Sequence, residues 1–294
     1  MSSFVGLSNT DNLNIFTSND TETWGLLNTQ TSYCTGCVRD PSIKKFGSVY
    51  QLAHTCEDAT GNLHRWCRSS STDLQSWVTL QGVDTSALSS SLYIYAPEWV
   101  ANTDGTPYID GGGCPHVTMT ATDGSTTYAS YESHPTDCSD FTQPWSTPVL
   151  LSVTGEDHPQ IDTFMVCVGS GGGNCTGSGD TFFLWYERLV LNTTEYTQYA
   201  SASTLTGTFT RISNGGDWAN FGRPTQEGPA LIRLFNGTSY FWRLFFDRVP
   251  DPPGDLTNGQ INYSDSSDNW ATWTPPNPIN SAPLQAKHGT VIPR

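Results

Sequence analysis

The chain is poor in charge, and poorest in basic charge. Of its 294 residues 14% are charged, with Lys+Arg 13 against Asp+Glu 28, for a formal net charge of −15. Nucleic acid and anionic membranes both need a basic face, so neither is expected as a partner. No apolar run approaches 18 residues, which leaves no candidate for a membrane-spanning helix. No stretch sustains a helical apolar period either. An apolar leader is also lacking: Met1-Ser2-Ser3-Phe4 reads as a mature start with an added initiator methionine.

What the chain does contain suits strands and turns: Gly 27, Pro 18 and 12% aromatics. Its eight cysteines point to an oxidising compartment. Cys56 and Cys67 flank a turn-rich link, Cys167 and Cys175 flank a glycine-rich tip, and Cys114 and Cys138 fall within one repeat. Cys34 and Cys37 form a C-x-x-C with no second pair for zinc and no βαβ context, so four local disulfides are expected. Sequons at Asn19, Asn174, Asn192, Asn236 and Asn262 sit in turn-like segments. Together these features predict a secreted, extracellular, N-glycosylated monomer.

One pattern recurs through the chain. Thr225-Gln226-Glu227-Gly228-Pro229-Ala230-Leu231-Ile232 sets an acid, a glycine and a proline before a short apolar strand. Arg39-Asp40-Pro41-Ser42-Ile43, Tyr95-Ala96-Pro97-Glu98-Trp99, Gln160-Ile161-Asp162-Thr163-Phe164 and His288-Gly289-Thr290-Val291-Ile292 repeat it at intervals of about 57 to 65 residues. Each is followed by an aromatic strand, a strand ending in Ser or Ala, and a strand opening at an aromatic. Four strands per unit and five units predict an all-β, five-bladed β-propeller, a single domain over 1–294. The chain ends just after the fifth first strand. That strand is therefore expected to pair with strands from residues 1–30 and to close the ring, leaving no open edge.

First strands line a propeller's axis. Asp40, Glu98, Asp162, Glu227 and His288, or their immediate neighbours, should therefore ring one mouth of the channel. So many carboxylates in one place are costly for stability alone and fit a reactive site. The other histidines, His54, His64, His116, His134 and His158, show no ligand spacing and read as packed or solvated. Most tryptophans read as packing between blades. Trp99 and Trp185 accompany channel strands and are candidates to contact a substrate.

In order and spacing, over almost the whole chain, these segments resemble glycoside hydrolase family 43. The carrying motifs are Asp40-Pro41-Ser42-Ile43, Ala96-Pro97-Glu98, Ile161-Asp162, Glu227-Gly228-Pro229 and His288-Gly289-Thr290. The resemblance implies an inverting glycoside hydrolase with Asp40 as general base and Glu227 as general acid. Asp162 would raise and orient the acid, and His288 would lie at the channel floor among the substrate-binding groups. Arg39 is expected to favour the ionised base if it points inward. Thr163 departs from the proline that many members carry after the aspartate, which bears on the substrate subgroup.

The resemblance also implies an oligo- or polysaccharide substrate of the plant cell wall. Release of α-L-arabinofuranosyl units is the first expectation, with β-xylosidase or galactofuranosidase activity the nearest rivals. No cofactor is required; a structural calcium on the axis, reached from His288 through water, is the one the resemblance brings. Inversion needs two carboxyl groups about 6.5–9.5 Å apart, a gap that suits strands facing each other across a narrow channel. Sucrose- and fructan-active propellers differ: they carry Asn-Asp-Pro-Asn and Glu-Cys segments absent here. A non-catalytic, carbohydrate-binding propeller is the alternative from another class, but it would repeat its site in each blade, whereas these leading residues differ.

Overall fold

The computed structural model describes residues 4–9, 13–30, 38–56, 65–88, 92–123, 128–142, 144–190, 194–212, 226–248, 260–279 and 288–294. Among the described residues there are strands and no helix, arranged in five sheets. Sheet one runs Val38–Phe46, Val49–Cys56, Arg65–Ser71, Val78–Asp84. Sheet two runs Tyr93–Trp99, Val117–Thr122, Tyr128–Ser133, Val149–Leu150. Sheet three has Gln160–Val168, Thr181–Val190, Thr194–Ala202 and Phe209–Arg211, with Ala101–Asn102 and Val153–Thr154 on its two edges. Sheet four runs Gln226–Phe235, Tyr240–Arg248, Gln260–Ser266, Asn277–Pro278.

Sheet five joins the two ends of the chain. Val291–Pro293 lies antiparallel to Phe4–Asn9, with Phe4 opposite Pro293 and Val5 opposite Ile292. Leu13–Ser18 and Gly25–Gln30 complete it. The strand expected at His288 thus begins three residues later, and His288 itself precedes it. Each sheet's first strand packs against the first strand of the next, and Val291–Pro293 touches those of sheets four and one.

The second strands are apolar at successive positions because both of their faces are covered. In Thr181–Val190, Phe182, Leu184 and Tyr186 join the core toward Val100 and Leu151, while Phe183 and Trp185 turn to Trp242 and Trp270. Between sheets one and two, Trp66 meets Trp145 edge-on at 4.8 Å and Trp99 at 6.4 Å. Trp185 stacks on Tyr199 at 4.8 Å.

The recurring serine before an aromatic also has a structural cause. Ser18 and Ser71 each accept the backbone N–H three residues on, and Asp20 and Asp73 each accept two further N–H groups. These turns pass through left-handed Thr21 and Leu74, and the side-chain acceptors satisfy the amides that the turn frees.

A second repeat matters more for the axis. In sheets one to four the first strand slips register, between Arg39 and Ser42, Tyr95 and Glu98, Ile161 and Phe164, and Glu227 and Ala230. The residue inside each slip has a left-handed backbone: Asp40 (φ 51°), Ala96 (46°), Asp162 (53°) and Gly228 (59°), and His288 (48°) matches them before the strand of sheet five. A bulge re-aims its side chain and leaves an amide without a ladder partner. The neighbouring sheet supplies one. Ala96 N donates to Thr55 Oγ1 (2.8 Å), Asp162 N to Thr120 Oγ1 (3.1 Å), and His288 N to an Asp247 carboxylate oxygen.

Cys56–Cys67, Cys114–Cys138 and Cys167–Cys175 are bonded as their positions suggest; Cys34 and Cys37 lie outside the described residues. One sequon is not where the sequence placed it. Asn262 is mid-strand in sheet four, opposite Phe246, and only 4% exposed, so its amide is closed to modification once the chain has folded.

A buried N–H without an acceptor costs about 1–3 kcal/mol. Thr120→Val keeps the side-chain shape and removes the acceptor for Asp162 N. It is therefore expected to lower unfolding free energy by that amount in urea titration; an unchanged midpoint would show that the inter-sheet bond carries no stability.

Candidate active site

The bulges bring three residues together that lie far apart in sequence. His288 Nδ1 donates to Asp40 Oδ1 at 2.6 Å, and its Nε2 lies 2.8 Å from Asp162 Oδ2. Both aspartates are buried. One imidazole therefore sits between two carboxylates taken from sheets one and three. Asp40 Oδ2 also accepts Thr55 Oγ1 at 2.7 Å, and Thr55 Oγ1 in turn accepts Ala96 N. The hydroxyl links the carboxylate of one sheet to the bulge of the next.

Burial alone would neutralise these groups. For Asp40 it pushes the pKa up, but His288, Arg39 and the Thr55 hydroxyl outweigh it and hold the carboxyl well below the usual range. For His288 burial pushes down, while Asp162 and Asp40 together raise it well above an ordinary imidazole. The ring is thus a cation at neutral pH and Asp40 an anion. His54 shows the opposite outcome in the same sheet: burial lowers it to about 4, against its contact with Thr55 O and the field of Asp40, and it stays neutral.

Glu227 lies one residue before left-handed Gly228 and is half-buried. Gly228 is required there, because a Cβ would collide with the His288 ring. Across the sheet Glu227 is opposite Asp247, the buried acid that holds the His288 amide. Asp247 was not singled out in the sequence; its only signal is an acid closing the apolar run Leu244-Phe245-Phe246.

Sheet two contributes differently from the expectation. Its bulge residue is Ala96, and Glu98 falls two positions further along, level with Ser42. Glu98 lies in the field of Lys44, a lysine with a fully buried side chain. Burial raises Glu98 to about 8, against Ser42, Lys44 and His288; burial lowers Lys44 to about 8, against Glu98 and Asp104. Burial thus favours the neutral form of each, and the field of the other opposes it. Lys44 follows Asp-Pro-Ser-Ile directly, and nothing in its residue type signals that it is buried.

Other expected site residues lie elsewhere. Trp99 and Trp185 are 1% and 0% exposed. Each is locked in the aromatic seams between sheets, so neither offers a face to a sugar. Arg39 is exposed, with its guanidinium 5.9 Å from the Tyr95 ring, and its field lowers Asp40. The glycine-rich tip at 169–173 lies at the far end of its strand from Asp162, away from the carboxylates. The Pro-rich segment 249–254 is outside the described residues. Both ring nitrogens of His288 already face carboxylates, so an axial calcium would be reached from this ring only through water.

No protein-family profile and no curated protein sequence matches the chain. Solved structures do. An endo-1,4-beta-xylanase from Bacteroides thetaiotaomicron superposes with a TM-score of 0.63 at 13% identity, covering 95% of this chain and 92% of its own. An alpha-L-arabinofuranosidase from Lactobacillus brevis gives 0.53 at 12% identity, with 83% and 73% covered. A GH43_12 protein retrieved from capybara gut metagenome gives 0.53 at 16% identity over 97% of this chain and 48% of that one. The fold is that of the family-43-like propellers; at these identities the likeness is one of fold.

The Asp40–His288–Asp162 link makes stability depend on pH with a definite sign. His288, raised when folded, contributes fully below its unfolded pKa of about 6.5 and loses that contribution as pH rises through its folded value. Asp40, depressed when folded, contributes above about 3.9 and loses it as pH falls through its folded value. In thermal melts His288→Gln should therefore show its largest deficit near pH 5–6, shrinking through the alkaline range. A deficit that stays constant to about pH 10 would show that the ring is not charged in the folded state.

Proposed function

We propose that this chain is an inverting glycoside hydrolase acting on plant cell-wall polysaccharide, with the five sheets as blades of one closed propeller. The observation that carries the reading is the placement of Asp40 and Asp162 on opposite sides of the His288 imidazolium, with Glu227 beside the bulge of the fourth first strand. In this reading Asp40, held ionised, takes the proton from the attacking water. Glu227, half-buried and next to left-handed Gly228, gives a proton to the departing oxygen. Asp162 orients that acid. His288 fixes both aspartates and spreads their charge, so that two buried anions coexist near the axis.

The leading substrate is a terminal α-L-arabinofuranosyl unit, supported by the motif resemblance and by an arabinofuranosidase among the structures that share the fold. β-Xyloside and galactofuranoside hydrolysis follow from the same geometry with a differently shaped mouth. An extracellular, monomeric protein is in keeping with the three disulfides and the acidic surface.

Aryl furanosides and pyranosides test this directly. Asp40→Asn and Glu227→Gln are each expected to lose about 10²- to 10⁴-fold in kcat with natural leaving groups. An acidic phenol should restore much of the rate in Glu227→Gln and little in Asp40→Asn, because only the former lacks the proton donor. Proton NMR should show the inverted anomer first. A retained anomer would make Asp40 something other than a base. Binding of oligosaccharide with no hydrolysis of any substrate in the panel would leave a carbohydrate-binding propeller instead.

A further inference from the structure

A second cluster of ligating side chains lies in sheet two, at the Trp99 end of its first strand. His116 immediately precedes Val117–Thr122, Glu132 is near the end of Tyr128–Ser133, and His134 follows it. Nothing in the sequence spacing joins these three; the antiparallel pairing does, with Val117 opposite both Trp99 and Ser133. His116 Nδ1 lies 2.6 Å and His134 Nδ1 3.1 Å from the same oxygen, Glu132 Oε1. The two rings stand 5.1 Å apart.

Three observations do not suit a purely hydrogen-bonded cluster. Glu132 is 0% exposed, and its other oxygen, Oε2, is buried with no partner. A buried carboxylate oxygen without a donor is expensive, and here both imidazoles crowd the first oxygen while the second stays bare. His116 is also backed by a carboxylate: Asp110 Oδ2 lies 3.4 Å from its Nε2. Asp110 is held for that role, because its Oδ1 accepts the amides of Gly112 and Cys114. A carboxylate behind a histidine, with the second ring nitrogen free to ligate, is the usual support for a metal-bound imidazole.

We propose that His116 Nδ1, His134 Nδ1 and the Glu132 carboxylate form a site for a divalent transition metal, zinc first, with Asp110 positioning His116. Two imidazole nitrogens and one carboxylate are a zinc donor set that leaves a fourth position for water. Bonds of about 2.0–2.1 Å place tetrahedral neighbours roughly 3.4 Å apart. The present separations of 2.6 and 3.1 Å therefore need to open by less than about an ångström on metal entry. The His134 side chain, 37% exposed, gives the ion its way in. The Cys114–Cys138 disulfide brackets both histidines and holds the two segments together. Elsewhere, Glu156, Asp157 and His158 are also grouped, but there Arg188 already supplies the cation, 2.9 Å from Glu156 and 2.7 Å from Asp157.

The test uses the intact protein, stripped with a chelator and titrated with zinc alone by calorimetry and with cobalt by visible absorption. One ion per chain is expected, with the strong visible bands of a four-coordinate cobalt site and a higher melting temperature. His134→Ala, at a partly exposed ring, should fold normally and lose this uptake. Asp110→Asn should weaken it about 10- to 100-fold, as loss of an outer carboxylate does. Glu132→Gln removes a buried charge and can fail to fold, so His134→Ala is the deciding variant. No uptake by the stripped protein would overturn the site. So would uptake that persists unchanged in His134→Ala, which marks adventitious binding at other histidines.

Discussion

The axis of this molecule depends on what happens to five backbone amides. The first strands of sheets one to four carry a left-handed residue at Asp40, Ala96, Asp162 and Gly228, and left-handed His288 precedes the strand of sheet five. A left-handed non-glycine residue costs of order 1–3 kcal/mol and persists only where its surroundings over-determine it. Here the surroundings are the adjacent sheets, whose second strands offer Thr55, Thr120 and Asp247 to the freed N–H groups of Ala96, Asp162 and His288. The same hydrogen bonds that tie neighbouring sheets together therefore aim the bulge side chains at one another. Fold and site share one set of contacts.

Charge at the site is balanced locally. The chain carries −15 overall, yet its two buried central aspartates face a cationic imidazole. Isolated buried charges are prohibitive, while paired and hydrogen-bonded ones are tolerated. Gly228 completes the arrangement by leaving room for the His288 ring where any Cβ would intrude. Glu227, the residue before Gly228, is half-buried and within the reach of solvent.

The metal-type cluster in sheet two shows the same logic away from the axis. His116 and His134 are unremarkable in sequence, separated by a strand pair and lacking any ligand spacing. They meet because two antiparallel strands end level with each other, and the carboxylate between them, Glu132, is sealed from water by the packing of the sheet. Burial converts an ordinary Glu-x-His into a group that lacks a partner for one oxygen.

Much of the architecture was legible in the residues. The five-fold recurrence of a polar residue before an apolar strand, the aromatic second strands and the late return of a first-strand motif at His288 pointed to five sheets and to pairing between the chain's ends, because strand period and repeat length are local properties. The half-cystine pairs were legible for the same reason, each closing a short link. Asp40, Asp162 and His288 were legible as a set because they occupy one position of the repeat. The repeat could not show that Ala96, not Glu98, is the matching residue in sheet two, since the position is defined by a backbone bulge and not by residue type. Nor could it show that Trp99 and Trp185 are sealed between sheets, that Lys44 is buried, or that Asn262 is closed to modification. Burial and the meeting of His116 with His134 depend on which faces of which sheets come together. Sequence determined the strands and their order; the packing of one sheet on the next decided which of their side chains can touch.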